Sequence, residues 1–209
     1  MKLSKFAVAG AMALCAVAAQ AVVTESVALY TDPAAPSGPL TYGFEASDVL
    51  PAWLSFSGGY VFSDGDPGVG IITAKPPGAE GTSWWSVGPS EPQTPTGTVN
   101  FADGASSVSF LWGSPDTYNE LSYTYTSGGA TFVNTVLGTS LDGDRGVGVY
   151  LTLTATAGDV ITGLTFKSAA ANAFEVDNFR VTSVPEPETY ALLLAGLGVM
   201  VIVARRRRP

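Results

Sequence analysis

Apolar and polar residues alternate through the centre of the chain, in short segments separated by turns rich in glycine and other turn formers. Apolar side chains occupy every second position along 147–154, and the same two-residue period recurs within 108–112, 121–125 and 160–166. Successive side chains of a strand point to opposite faces of a sheet, so this period predicts strands with one buried face. Together the segments predict an all-β domain, an antiparallel β-sandwich or jelly roll.

The last predicted strand, 173–183, changes its buried face part-way along. Its apolar residues occupy even positions up to Val176 and odd positions from Phe179 onward. Such a change requires an extra residue, so the sequence predicts a β-bulge near Asp177 and Asn178. A bulge of this kind can aim the Asp177 carboxylate at a specific partner.

Two segments, 31–39 and 75–97, are rich in proline and are predicted to be surface loops. Proline lacks the amide hydrogen that a central strand must donate, so such segments fit poorly inside a sheet. The second loop carries Trp84 and Trp85. Exposed indoles stack on sugar rings, which makes these two residues, and Trp53 elsewhere in the chain, candidates for glycan binding. The alternative is that they are buried tryptophans of the sandwich.

A seven-residue pattern, D-G-D-x-G-V-G, occurs at 64–70 and again at 142–148. Carboxylates on a tight turn can bind Ca²⁺ through oxygen. Two similar turns that lead into similar strands explain the pattern equally simply, and no EF-hand spacing follows either copy. The turn interpretation is favoured.

Residues 1–21 have the three parts of a secretory signal peptide. Lys2 and Lys5 form a basic start, 6–19 supply an apolar helix, and Ala19-Gln20-Ala21 provides a cleavage site for signal peptidase. The mature chain is predicted to start at Val22.

The other end of the chain carries a second export signal. An uncharged run at 190–204 is followed by four arginines at 205–208. This predicts a single transmembrane helix, short for a bilayer whose hydrocarbon core is about 30 Å thick, with its arginine end in the cytoplasm. The helix would anchor the protein in the inner membrane during transit.

The segment before this run contains Pro185, Glu186 and Pro187, preceded by Val184. In this order, the motif, the apolar run and the arginine cluster resemble the PEP-CTERM sorting signal of Gram-negative bacteria. The resemblance implies that exosortase, a membrane transpeptidase-like enzyme, recognises and removes the tail. It also implies delivery of the protein to the cell surface or the extracellular space.

Two further resemblances concern the central domain. The closing strand at 174–179 and the segment 43–45 resemble the closing and opening strands of carbohydrate-binding-type jelly rolls. In several of those families these places hold a structural Ca²⁺, which implies Glu45 and Asp177 as ligands; the alternative is two solvent-facing carboxylates at strand ends. The stretch 112–119 is similar to W-G-S-x-D-x-Y-N in a group of exosortase-dependent surface proteins, whose likeness supports fold and location without a mechanism.

Charge and composition narrow the chemistry of residues 22–183, here called the ectodomain. The chain of 209 residues has a net charge of −8, but the ectodomain alone holds sixteen acidic and four basic residues. Such an acidic surface repels nucleic acid. The chain has no histidine, and its one cysteine, Cys15, lies in the signal peptide. Disulfides, imidazole catalysis and thiolate or imidazole metal sites are therefore excluded from the ectodomain.

The sequence thus predicts three parts: a signal peptide at 1–21, a β-sandwich ectodomain at 22–183 and a sorting tail at 184–209. The predicted function is that of an exported surface or extracellular-matrix protein with a structural or adhesive role, and not of an enzyme. The main alternative is a carbohydrate-binding module for exopolysaccharide. A glycoside hydrolase with paired carboxylates is the remote alternative, since no motif singles out a pair.

Overall fold

The structure is a computed structural model that describes residues 23–141, 147–156, 158–169, 172–184, 195–197 and 200. These residues form one 3₁₀ turn at Gly138–Ser140 and ten strands, β1 Val23–Leu29, β2 Leu54–Gly58, β3 Tyr60–Ser63, β4 Ser83–Val87, β5 Thr96–Trp112, β6 Asn119–Ser127, β7 Ala130–Leu137, β8 Val149–Ala155, β9 Val160–Ser168 and β10 Phe174–Ser183.

All pairs of these strands are antiparallel, and β5 is the strand that connects them. Its first part pairs with β2 and β9, and its second part pairs with β10 and β8. One layer therefore runs β2-β5-β9-β6-β7, and the other runs β3-β4-β10-β5-β8-β1. The seventeen-residue β5 belongs to both layers.

The change of layer within β5 is made by a bulge between Asn100 and Ala105, where its register with β9 shifts. Gly104, inside this bulge, has a φ of 73°. A side chain at this position would overlap Val160, so glycine is required both by the backbone conformation and by the close approach of β9.

Aromatic rings fill the space between the layers. The Phe166 ring on β9 meets the ring of Trp85 on β4 at 5.4 Å and the ring of Phe110 on β5 at 5.3 Å, each pair edge to face. All three side chains are buried. The all-β prediction is confirmed, and the finer assignment to a jelly roll stays a prediction.

The predicted alternation is confirmed in β5, β6 and β8, where the apolar residues of one parity are buried. In β9, however, Ile161 is buried and Val160 is half-exposed, the reverse of the prediction for that end of the strand. The cause is a register shift in the pairing of β9 with β6, between Thr124 and Tyr125. The extra residue moves the neighbouring side chains of β9 to the other face.

The prediction that 75–97 forms one long surface loop is wrong. Residues Ser83–Val87 form β4, which is buried along its whole length between β3 and β10. The prolines of the segment lie outside these five residues, so they do not interrupt the strand. The other proline-rich segment, 31–39, contains no strand.

Both predicted export signals lie largely outside the described residues. The signal peptide at 1–21 falls there entirely, and of the predicted transmembrane run only 195–197 and 200 are described, in helical conformation. Among the residues that the structure describes, no helix has the length and apolar character needed to cross a membrane.

Candidate functional site

The bulge predicted in β10 is present, and it builds the most unusual group of polar residues in the domain. Asp177 pairs with Leu111 of β5, whereas the next pair joins Arg180 to Ser109. Two residues of β10 therefore lie opposite the single residue Phe110. Asn178 lies within this bulge and has a φ of 55°, a conformation that asparagine tolerates better than most residues.

The Asn178 side chain ties the bulge to the long connection between β3 and β4. Its amide nitrogen donates to the Gly78 carbonyl at 3.0 Å and to the Tyr150 hydroxyl at 2.7 Å. Its amide oxygen accepts the backbone N–H of Glu80 at 3.1 Å. These bonds satisfy a fully buried amide and hold residues 78–80 against the strand.

Asp177, the neighbouring residue, is fully buried. Among the described residues, neither oxygen of its carboxylate has a hydrogen-bond partner. Burial, and next to it the negative charges of Glu45, Glu80 and Asp48, raise the pKa of Asp177 to about 8. The Asn178 backbone N–H acts in the opposite direction, although it lies outside hydrogen-bonding geometry.

A buried carboxylate without partners needs either a proton or a cation, because an isolated charge in the interior costs several kcal/mol. Asp177 therefore has the chemistry of a cation ligand, and the predicted calcium site stays a prediction. Within the described ranges, no three acidic side chains lie close enough together to hold a metal ion by themselves. The remaining ligands of an ion at Asp177 would have to be backbone carbonyls and water, both of which are ordinary ligands of Ca²⁺.

Glu45, the second predicted ligand, has a different role in the structure. Its Oε1 accepts the backbone N–H groups of Thr82 at 2.6 Å and of Ser83 at 2.7 Å, and its Oε2 accepts the Thr82 hydroxyl at 3.0 Å. Burial acts to raise the pKa of Glu45, but these hydrogen bonds together lower it below its ordinary value. Glu45 thus fixes the start of β4, while its charge still acts on Asp177.

The segment 43–45 was predicted to be an opening strand, and this is wrong. Residues 43–45 form no strand. The preceding Tyr42 makes a single bridge with Phe179, and Phe44 adopts a φ of 63°, outside the range of regular strand backbone. Asp48 stabilises the resulting turn, because its Oδ2 accepts the backbone N–H groups of Gly43 at 2.8 Å and of Glu45 at 3.2 Å.

Asp48 is a member of the site that the sequence interpretation missed. A Cβ atom added to Gly43 would lie 3.3 Å from Oδ2 of Asp48 and 4.0 Å from Oδ1 of Asp177. Both carboxylates thus border the space beside Gly43, where a larger residue would crowd them. The available signal was a short one: an aspartate three residues after Glu45, at the spacing of a side-chain-capped turn.

A pocket of about 220 Å³ is lined by residues of two motifs that are separate in the sequence, the closing strand at 174–179 and the W-G-S-x-D-x-Y-N stretch at 112–119. Its polar lining comprises Thr73, Ser114, Asp116, Asn172 and Glu175. Glu175 is buried, and its Oε1 accepts the Ala74 backbone N–H at 3.1 Å. Burial raises the pKa of Glu175 to about 7. The Tyr118 hydroxyl donates to Asp116 at 2.6 Å. A hydrogen bond within the W-G-S-x-D-x-Y-N stretch thus helps to hold Asp116 at the wall of this pocket.

Trp84 and Trp85, the predicted glycan-binding residues, are 0% and 2% exposed. The Trp84 indole N–H donates to the Thr73 hydroxyl, and the Trp85 indole N–H donates to the Gly58 carbonyl, both at 3.1 Å. The expectation that they are exposed is wrong, and neither indole face is available to a sugar ring in this fold. The alternative, two buried tryptophans of the sandwich, is what the structure shows.

The first copy of the repeated D-G-D-x-G-V-G pattern forms a turn after β3. Its Asp66 accepts the backbone N–H of Ser63 at 2.8 Å, and its Asp64 pairs with Lys75 at 3.0 Å. Both carboxylates therefore have partners within the protein, in agreement with the turn interpretation. In the second copy, residues 142–146 lie outside the described part of the chain.

Comparison with known protein families explains the segment that follows β10. Residues 183–208 match the family model of the PEP-CTERM protein-sorting motif. The chain carries a PEP-CTERM sorting motif. The resemblance drawn from Pro185, Glu186, Pro187 and the apolar and arginine segments after them is thereby confirmed, although these three residues lie outside the described residues.

The PEP-CTERM motif identifies an exported protein that is sorted by an exosortase, and it implies delivery to the cell surface. The match covers the sorting tail alone, so it does not assign a role to the ectodomain. Comparisons of the chain with curated proteins and with solved structures find no match.

Proposed function

We propose that this protein is a structural component of the cell surface or extracellular matrix, which exosortase processes and which has no catalytic role. The observation that carries the proposal is the PEP-CTERM motif, directly attached to an antiparallel β domain. The motif begins at Ser183, the last residue of β10, so the domain is complete before the tail starts. Removal of the tail would therefore leave the fold intact.

The order of events follows from the positions of the signals. Signal peptidase removes residues 1–21, and the run 190–204 holds the protein in the inner membrane with its arginines in the cytoplasm. Exosortase then acts near Pro185–Pro187, and the acidic ectodomain is delivered outside. Proline keeps the neighbouring backbone extended, a conformation that suits recognition by a processing enzyme.

Deletion of Pro185, Glu186 and Pro187 is expected to block processing. The protein should then accumulate in the envelope as a precursor that is larger than the mature form by its tail, because the enzyme no longer recognises its signal. Immunoblots of envelope, surface and medium fractions from the native host measure this. A matched control is Glu188→Ala, which removes a neighbouring acid outside Pro185–Pro187 and should be processed normally. Unchanged release of the deletion variant would overturn the proposed sorting.

We further propose that the ectodomain binds Ca²⁺ at Asp177. The support is the fully buried carboxylate whose two oxygens have no hydrogen-bond partner among the described residues, next to Asp48. Glu45 is retained as a nearby charge rather than as an open ligand, since both its oxygens accept hydrogen bonds. The ion would supply the positive charge that no basic side chain within hydrogen-bonding distance of Asp177 provides in the described structure.

Calcium is expected to raise the melting temperature of the purified exported protein, and a chelator is expected to reverse the effect. A ligand that binds only the folded state stabilises it by RT ln(1 + [L]/Kd), about 2.7 kcal/mol at a hundredfold excess over Kd. Asp177→Asn should abolish the response, whereas Asp103→Asn, which neutralises an exposed acid on β5, should retain it. A melting curve that is indifferent to both calcium and chelator would exclude the site.

Sugar binding, the alternative drawn from the sequence, loses Trp84 and Trp85, two of the three tryptophans on which it rested. If the ectodomain binds a polysaccharide, the partly buried Trp53 or other residues must provide the contact.

A further inference from the structure

The open edges of the two layers differ in a way that bears on assembly. Among the described strands, β1, β2, β3 and β7 each pair with one neighbour only. An edge strand exposes a row of unpaired N–H and C=O groups, which can pair with a strand of another molecule. Proteins that remain monomeric protect such edges with short strands, charged residues, prolines or bulges.

Three of the four edges carry such protection. The strands β2 and β3 are only five and four residues long, and β2 ends in Gly58. The seven-residue β1 carries Glu25, a charged residue that weakens pairing with another strand.

The fourth edge, β7, carries none of these features. Its eight residues, Ala130–Leu137, contain no charged residue, no glycine and no proline, and most of them are β-branched or aromatic. It pairs with β6 in unbroken register over all eight positions, so no bulge turns the edge away. Short segments with high β propensity, no charge and no proline are the ones that pair most readily with identical copies.

The side chains of β7 are also unusually open to solvent. Val133 is 61% exposed, and Phe132 and Leu137 are 42% and 47% exposed. Phe132 stacks on Tyr125 of β6 at 5.3 Å, so its ring is held in place at the edge. The edge thus combines unpaired backbone groups with apolar side chains that a neighbouring strand would cover.

We propose that β7 pairs antiparallel with β7 of a second copy of this chain and joins the two domains into one continuous sheet. A two-fold axis through the middle of the paired strands gives both molecules the same contacts, which is the usual arrangement of a homodimer. Charge also favours this edge. The chain has a net charge of −8, so two copies repel each other in general. The strand β7 contains no charged residue, so its own side chains add nothing to this repulsion.

Such pairing would explain physically how the protein fulfils the proposed structural role. The biological meaning of the pairing rests on that role, but the pairing itself does not. It is measured on the purified protein, so its outcome does not depend on whether exosortase processes the tail.

The test compares one substitution on β7 with a matched one on β1. The exported protein is expected to sediment with twice the monomer mass at high concentration and to dissociate on dilution. Val133→Lys should weaken self-association on the order of tenfold or more, because it places a charge in the middle of the pairing edge. The control Val27→Lys changes a valine that is 44% exposed on β1 and should leave association unchanged.

A second measurement uses a thiol. Since Cys15 is the only cysteine and lies in the signal peptide, Val133→Cys gives the mature chain a single thiol. Oxidation is expected to cross-link two such chains rapidly, and Val27→Cys chains far more slowly. Circular dichroism checks that each variant is folded. A protein that is monomeric at every concentration, or one whose association and cross-linking ignore position 133, would overturn the proposal.

Discussion

In calcium-free buffer, the ectodomain is expected to lose stability steadily as the pH rises from about 4 to about 8. The pKa of Asp177 is raised from 3.8 to about 8 in the folded protein, so the folded state keeps a proton that the unfolded chain releases. Its stabilising contribution is complete below pH 3.8 and is lost as the pH rises through the folded pKa. Each such group changes the free energy of unfolding by about 1.4 kcal/mol per pH unit within its window.

Asp177→Asn is expected to remove this dependence and to stabilise the calcium-free protein at pH 8 by several kcal/mol. The substitution replaces a buried charge by a neutral side chain of the same shape. The midpoint of urea unfolding, measured at pH 5 and pH 8 with a chelator present, reports the change. Asp103→Asn, at an exposed position, should unfold with the wild-type pH dependence.

Glu175 adds to the same slope over a narrower window, since its pKa is raised from 4.5 to about 7. Asp177→Asn should therefore retain a weaker loss of stability between these values. If the midpoint of the Asp177→Asn variant fell with pH as steeply as that of the wild-type protein, Asp177 would not be the buried acid that the structure shows.

Trp85→Ala is expected to cost about 3–5 kcal/mol of unfolding free energy, a large part of the roughly 5–15 kcal/mol by which ordinary domains are stable. The indole packs between Phe56 at 5.4 Å and Phe166 at 5.4 Å. Two glycines of neighbouring segments approach it so closely that a Cβ at Gly97 would lie 2.5 Å from the ring and one at Gly59 would lie 2.4 Å from its nitrogen. With so little freedom to collapse, the site would keep most of the cavity.

Urea unfolding of the wild-type and variant proteins measures this loss. Trp53→Ala is the matched control, because Trp53 lies at the margin of the core and is only partly buried, and it should cost clearly less. A Trp85→Ala protein with an unchanged unfolding midpoint would contradict the packing described above. The expected result also means that a loss of sugar binding in this variant would report the disturbed core rather than a missing contact with sugar.

The sequence was informative wherever a local pattern decides the structure. Alternation located β5, β6 and β8, and the change of parity between Val176 and Phe179 located the bulge of β10, because a strand can change its buried face only by adding a residue. The sorting tail was recognisable for a similar reason, since its three parts are adjacent in the chain.

The errors arose where neighbouring or distant segments decide the outcome. The proline content of 75–97 as a whole predicted a loop. The five residues of β4 within this segment contain no proline, and neighbouring strands bury them. The candidate site was found only in part. Asp177 was identified, but its pKa also depends on the charges of Asp48 and Glu80. Both residues lie far from Asp177 in the chain, and no local pattern in the sequence shows that they come close to it in the fold.

The path of β10 has a mechanical consequence for a protein held by its tail. This strand pairs with β4 over its first residues and with β5 over most of its length, and the tail begins where the strand ends. A pull on the tail therefore acts along β10, parallel to the strands on either side. Its interstrand hydrogen bonds would be loaded together in shear, instead of opening one after another from an end. While it is tethered, the domain would resist extension through the same strand that carries the buried aspartate.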